Sequence, residues 1–126
     1  MKILVTGTRE DLEEFEAMKV VKQLSGHLKE FPGCPEAITI IHGACPTGVD
    51  ELAGKWAKYS GTDEITFPAN WKGRRESAGP YRNRRMMDIM EPDLVLAFPS
   101  PRSKGTRNCI REAKKRLIPI EITELE

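Results

Sequence analysis

A chain of 126 residues, 39% hydrophobic and 31% charged, is sized for one compact domain spanning residues 1–126 with a buried core. Its net charge of +1 excludes a surface that is basic all over, so nucleic acid is not an expected partner of the surface as a whole. Cys34, Cys45 and Cys109 are odd in number and form no C-x-x-C pair, which indicates neither a disulfide framework nor a zinc site and predicts reduced thiols.

The apolar run KILVTG, Lys2 to Gly7, predicts a first strand, and the lack of a basic leader before a long apolar stretch argues against a secretory signal. Behind it Glu10, Asp11, Glu13, Glu14 and Glu16 make the early chain acidic, and an amphipathic pattern predicts a helix over 11–31, with His27 on its surface. AITIIHG, Ala37 to Gly43, reads as the second strand. Gly48 to Tyr59 reads as the second helix, with Trp56 and Tyr59 expected to pack it against the sheet. EITFPA, Glu64 to Ala69, is the third strand, and the irregular Pro68 to Gly79 that follows is long enough to be functional. A third helix is predicted over Pro80 to Met90, a fourth strand over Asp93 to Phe98, a last helix over Thr106 to Arg116 and a fifth strand over Ile118 to Ile122. No apolar run reaches membrane-spanning length, so the expectation is a cytoplasmic protein with no membrane partner.

Alternating strands and helices predict an α/β fold, a three-layer Rossmann-like domain whose mostly parallel five-stranded sheet has order 3-2-1-4-5 and helices on both faces. Ligands of such sheets sit at the carboxyl edge, near the reversal of strand order between the first and fourth strands. Three loops at that edge combine glycine with Thr or Ser at the foot of a helix, the chemistry of a backbone anion cradle. They carry Gly7, Thr8 and Arg9; Gly43 and Gly48; and Gly105 and Thr106.

The first of these loops lacks the G-x-G-x-x-G spacing of nicotinamide dehydrogenases. In the second, Gly43 and Gly48 have P-loop spacing, but Val49 and Asp50 stand where Lys and Ser/Thr are needed, which disfavours NTP hydrolysis. Asp50 either favours a helix dipole or bonds a sugar hydroxyl. On the third helix Arg82 shares a face with Met86, Ile89 and Met90, so it points inward at the ligand edge, where a phosphate or carboxylate would explain it. Arg84 and Arg85 are offset toward solvent. Lys72, Arg74, Arg75, Arg82, Arg84 and Arg85 are opposed in their segment only by Glu76, so one side is expected to be electropositive. His42 is expected to be a hydrogen-bonded structural residue, and Trp71 either stacks on a base or anchors its loop.

The blocks ILVTGTR, HGACPTGVDELAGKWA, FPANW, AGPYRNRRM and LVLAFPSPRSKGTRNCIREA together resemble the YspA/cpYpsA-related branch of the SLOG superfamily, small Rossmann-like domains common in bacteria and their phages. The resemblance implies a nucleotide-like ligand and no required cofactor. Phosphate would lie on Gly105, Thr106 and the Gly7 to Arg9 loop, beside Arg82 and Asn83 of the AGPYRN block, with Arg102, Lys104 and Arg107 adding charge at the rim and Asp50 addressing a ribose. The same superfamily holds the Lonely-Guy phosphoribohydrolases, whose R-K-x-x-M and P-G-G-x-G-T-x-x-E motifs are matched here by Arg82 and Met86 and by Gly105 and Thr106, while PSPRSKGT stands in place of the Gly-Gly. The acidic residue of the second motif is replaced by Cys109. Asp50, Glu76 or Glu112 would have to substitute, unless the helix start and nearby basic residues lower the thiol's pKa.

The expected function is therefore binding of a phosphorylated nucleotide or an ADP-ribose- or NAD-derived ligand, for sensing, carrying or sequestering it. N-glycosidic hydrolysis and single-stranded nucleic-acid binding are the alternatives. A homo-oligomer is expected, with the Met-rich third helix offering apolar surface.

Overall fold

The computed structural model describes residues 1–125. Five strands, β1 (Lys2–Gly7), β2 (Thr39–His42), β3 (Asp63–Thr66), β4 (Leu94–Phe98) and β5 (Ile120–Ile122), form one sheet in the order β3-β2-β1-β4-β5, with every neighbouring pair parallel. The helices are α1 (Glu14–Leu28), α2 (Gly48–Ser60), α3 (Trp71–Arg74), α4 (Ala78–Met90) and α5 (Lys104–Lys115). This is the expected three-layer Rossmann-like architecture.

Alternation along β1 divides the interior in two. Ile3 and Val5 face Val20 and Leu24 of α1 and Val49, Ala53 and Trp56 of α2, whereas Leu4 faces Met86 and Met87 of α4 and Cys109 and Ala113 of α5. Helices α1 and α2 thus cover one face and α4 and α5 the other, as right-handed crossovers require when the chain steps outward from β1 and then returns past it.

Several sequence expectations shift for identifiable reasons. Helix α1 begins at Glu14 and not at residue 11, because Glu13 and Glu16 close a capping box in which the Glu13 amide donates to Glu16 Oε1 at 2.9 Å. The stretch after β3 is not irregular throughout. Asn70 Oδ1 accepts from the Gly73 amide at 3.0 Å to start α3, and a 3-10 turn over Arg75–Ser77 runs into α4 two residues before Pro80. Tyr59 does not pack against the sheet: α2 buries Val49, Ala53, Trp56 and Ala57, and Tyr59, rotated away from that stripe, is 91% exposed.

On α4 the buried stripe is Asn83, Met86 and Met87, which leaves Ile89 exposed and not facing the sheet. Its buried methionines are spent on the core, so they offer no apolar surface to a second copy. His27 is tucked between α1 and β5, with Nε2 3.0 Å from Glu121 Oε1 and Nδ1 3.3 Å from Glu30 Oε1. None of the described helices is long and apolar enough to cross a membrane.

Candidate functional site

The site begins where β1 and β4 end side by side, Gly7 opposite Phe98, the point at which strand order reverses. A side chain on Gly7 would put its Cβ 2.6 Å from Val49 Cβ and 2.9 Å from the Phe98 carbonyl oxygen, so only glycine lets the first turn of α2 close on the strand end. Thr8 then donates its amide to the Phe98 carbonyl at 3.1 Å and accepts the Val49 amide at 3.0 Å. Buried hydroxyls lock the β1 and β4 loops together. Thr8 Oγ1 accepts from the Glu10 amide at 3.1 Å and from Ser100 Oγ at 3.2 Å, and the Ser100 amide donates to Ser103 Oγ at 2.9 Å.

Between these loops and the starts of α4 and α5 lies a cavity of about 470 Å³, within the range of small-molecule sites. The start of α5 supplies its most direct ligand chemistry. Ser103 and Lys104 direct their amides to carbonyls within the loop, while among the described residues the amides of Gly105 and Thr106 have no protein acceptor. A Cβ on Gly105 would meet nothing within 4 Å, so this first turn is open to a ligand. Five basic side chains, Arg9, Arg82, Arg102, Lys104 and Arg111, line the cavity against three acidic ones, Glu10, Asp50 and Glu76. The balance, added to the helix start, favours an anion.

Arg82 points inward, as its spacing predicts, and is also part of the framework. Its Nη1 donates to the Gly43 carbonyl at 2.8 Å and to the Phe67 carbonyl at 3.2 Å, and its Nε donates to Asn83 Oδ1 at 2.9 Å. Asn83 Nδ2 reaches on to Asn108 Oδ1 at 3.0 Å and to the Gly105 carbonyl at 3.3 Å. One chain of hydrogen bonds therefore runs from the β2 loop through α4 to the cradle of α5. Burial pulls the Arg82 pKa below its usual value, with Asp50 opposing the shift. Asp50, on the cavity wall, accepts the Cys45 amide at 3.2 Å. Burial pushes its carboxyl pKa up, against that bond and the charge of Arg82.

Other predicted residues do different work. Gly43 and Gly48 do not line the cavity: Gly43 gives close passage to the Arg82 guanidinium, and Gly48, at φ +74°, lies against the backbone of Thr8 and Arg9. Arg107 is not a rim charge, since its Nη2 donates to the Ser100 carbonyl at 3.1 Å. His42 Nδ1 accepts the Ala44 amide at 3.0 Å, which puts its proton on Nε2, 2.6 Å from Glu64 Oε2; it pins a turn. Trp71 lines the cavity with the Arg9 guanidinium 4.5 Å from its ring centroid, so it both anchors its loop and offers a partly exposed ring.

Glu112 is paired with Arg116, at 2.7 Å, and with Lys115, at 3.4 Å, and does not line the cavity. Cys109 is fully buried. Burial pushes its thiol up to about 12, the opposite of the lowering expected from nearby positive charge. No group of three or more His, Cys, Asp or Glu among the described residues is arranged to hold a metal ion.

The chain that builds this site has relatives among known proteins. The model of the YspA, cpYpsA-related SLOG family matches residues 1–73, more than half of the chain. The protein belongs to that family. This SLOG domain is also similar to the Gene 61 protein of Mycobacterium phage D29, with 31% identity over 125 residues that cover 94% of this chain and 93% of the relative. The assignment fits a Rossmann-like fold of the general nucleotide- and ligand-binding kind.

Sequence reasoning passed over Glu10, Asn108 and Arg111 as cavity residues of this SLOG domain. A signal for two of them was available: Lys104, Asn108 and Arg111 recur at i, i+4 and i+7 on α5 and form one polar stripe.

Proposed function

We propose that the cavity binds a phosphorylated nucleotide or an ADP-ribose- or NAD-derived ligand, which the protein senses, carries or sequesters. The observation that carries this reading is the first turn of α5, where the amides of Gly105 and Thr106 lack acceptors among the described residues and line an open, predominantly basic cavity. A phosphate there accepts both amides and meets Lys104 and Arg102. Arg82, already anchored on two carbonyls, adds a fixed positive charge without losing side-chain entropy on binding. In this reading Trp71 and Asp50, both on the cavity wall, meet the base and a ribose hydroxyl.

The test is a thermal-shift titration with AMP, ADP-ribose, NAD and cyclic nucleotides, wild type beside Gly105→Asp. Stabilisation of the wild type that the variant loses supports the reading, and no shift with any of them removes it.

Asp50 gives a second reading, N-glycosidic hydrolysis, specific support: a cavity carboxyl with a raised pKa is suited to hold a proton for a leaving group. Release of free base from a bound nucleotide, abolished in Asp50→Asn with binding retained, is the expected outcome of that reading.

A further inference from the structure

The cavity has a strongly cationic outer wall that nucleotide binding inside it does not use. Lys72, Arg74, Arg75, Arg84 and Arg85 are all exposed on α3, the turn after it and the outer side of α4, and none forms an ion pair among the described residues. The nearest candidate acid on α4 is engaged elsewhere, since Asp88, one turn beyond Arg84, receives Arg116 Nε at 2.9 Å. Instead of carboxylates, two of the arginines flank an aromatic ring. The Arg74 guanidinium lies 3.5 Å from the Tyr81 ring centroid and that of Arg85 5.8 Å from it.

This wall is continuous with the site. Trp71, Glu76, Gly79 and Pro80 belong to the same segment and line the cavity, and Trp71 at its lip is 44% exposed. A row of unpaired cations leading to an exposed indole and then to an amide cradle suits a chain of phosphates that carries bases. An acidic peptide would have no use for the ring, and a flat lipid surface none for the recessed cradle.

We infer that the ligand is the end of a single-stranded nucleic acid, its terminal nucleotide in the cavity and its next phosphates along the Lys72, Arg74, Arg75, Arg84 and Arg85 wall. This rests on the nucleotide reading of the cavity and names the form in which the nucleotide arrives. The near-neutral total charge is no obstacle, because Lys72, Arg74, Arg75, Arg84 and Arg85 outnumber Glu76 in their segment and form no ion pair among the described residues.

The experiment is fluorescence anisotropy of a short labelled oligothymidylate bearing a terminal phosphate, at salt concentrations between about 50 and 200 mM. Wild type is compared with Arg74→Glu/Arg85→Glu, with Arg84→Glu as a second variant on the bare helix face, and the melting temperature of each is recorded. The expected result is binding that weakens with salt, by about 0.7 in log–log slope per phosphate engaged. The double variant should bind at least about tenfold more weakly with a shallower slope, while keeping its fold and its thermal shift with mononucleotides.

An oligonucleotide that fails to bind while mononucleotides still stabilise the protein overturns the inference and leaves the cavity reading standing. If mononucleotides also fail, both fall. Equal binding by wild type and the charge-reversed variants overturns the inference, as does equally tight binding of polyglutamate or anionic vesicles.

Discussion

Replacing Gly105 by aspartate separates the stability of the cradle from its ligand chemistry. Gly105 is the second residue of α5, is exposed, and has no atom within 4 Å of where a Cβ would stand, so the new side chain fits without displacing anything. In the empty protein the substitution removes a glycine from a helix and sets a negative charge at its positive end. Together these stabilise by about 0.5–1 kcal/mol, or roughly 2–5 °C in melting temperature for a chain of this size. For a bound phosphate the same carboxylate is a like charge at about 5 Å, which at effective dielectric constants of about 20 to 80 costs about 1–3 kcal/mol, roughly five- to 150-fold in affinity. At a ligand concentration of about 100 Kd the wild type gains about 2.7 kcal/mol, whereas a variant weakened a hundredfold gains only about 0.4. The two proteins therefore exchange rank in a melting experiment: the variant melts higher alone and lower with ligand. Equal ligand-induced shifts in both proteins would refute the placement of phosphate at α5, and a lower melting temperature of the empty variant would refute the account of the cradle as an open helix start.

Arg82→Ala is expected to destabilise the empty protein by about 2–3 kcal/mol, because the Gly43 and Phe67 carbonyls and Asn83 all lose a partner; chemical denaturation of the ligand-free variant measures this, and an unchanged midpoint would contradict it. Asp50→Asn tests the burial of that carboxyl. A carboxyl whose folded-state pKa is raised favours the fold below its unfolded-state pKa and loses that contribution as pH rises through the folded-state value, so the variant should melt above wild type at neutral pH, with the gap closing in acid. Thiol titration of the native protein should modify exposed Cys34 and spare Cys109, held near 12 by burial, with all three cysteines reacting only after unfolding.

The strand order was legible in the sequence because β1, β2 and β4 are apolar on both faces, which only a parallel sheet covered by helices on both sides explains. Element ends were less so. The start of α1 turns on a capping box between two glutamates within an acidic run, where composition gives no boundary. Within the site, the cradle loops at Gly7 and Gly105 were marked by glycine at a strand-to-helix turn. The same mark at Gly43 and Gly48 has another cause, because what decides a glycine's role is the atom opposite it: Val49 and open space in the first two, the Arg82 guanidinium and the Thr8 carbonyl in the others. No local pattern carries that difference. The inward direction of Arg82 followed from helical spacing, but its two carbonyl acceptors come from loops 39 and 15 residues away in sequence and needed the fold.

The fate of Arg82 and Cys109 also bears on which of the two chemistries the site favours. The hydrolase motifs pair an acidic residue where Cys109 stands with an arginine where Arg82 stands. Here the first position holds a buried thiol that stays protonated at neutral pH, and the second is tied to two backbone carbonyls and to Asn83. A fixed cation is an asset in binding, where preorganisation lowers the entropic cost, and it contributes to catalysis only if charge develops at the place where it is held. Of the three acids on the wall, Glu10, Asp50 and Glu76, Asp50 reaches the cavity from α2, on the other face of the sheet from Cys109. A thiol at position 109 in place of an acid removes support from the hydrolytic reading, whereas the free amides of Gly105 and Thr106 among the described residues support the binding one.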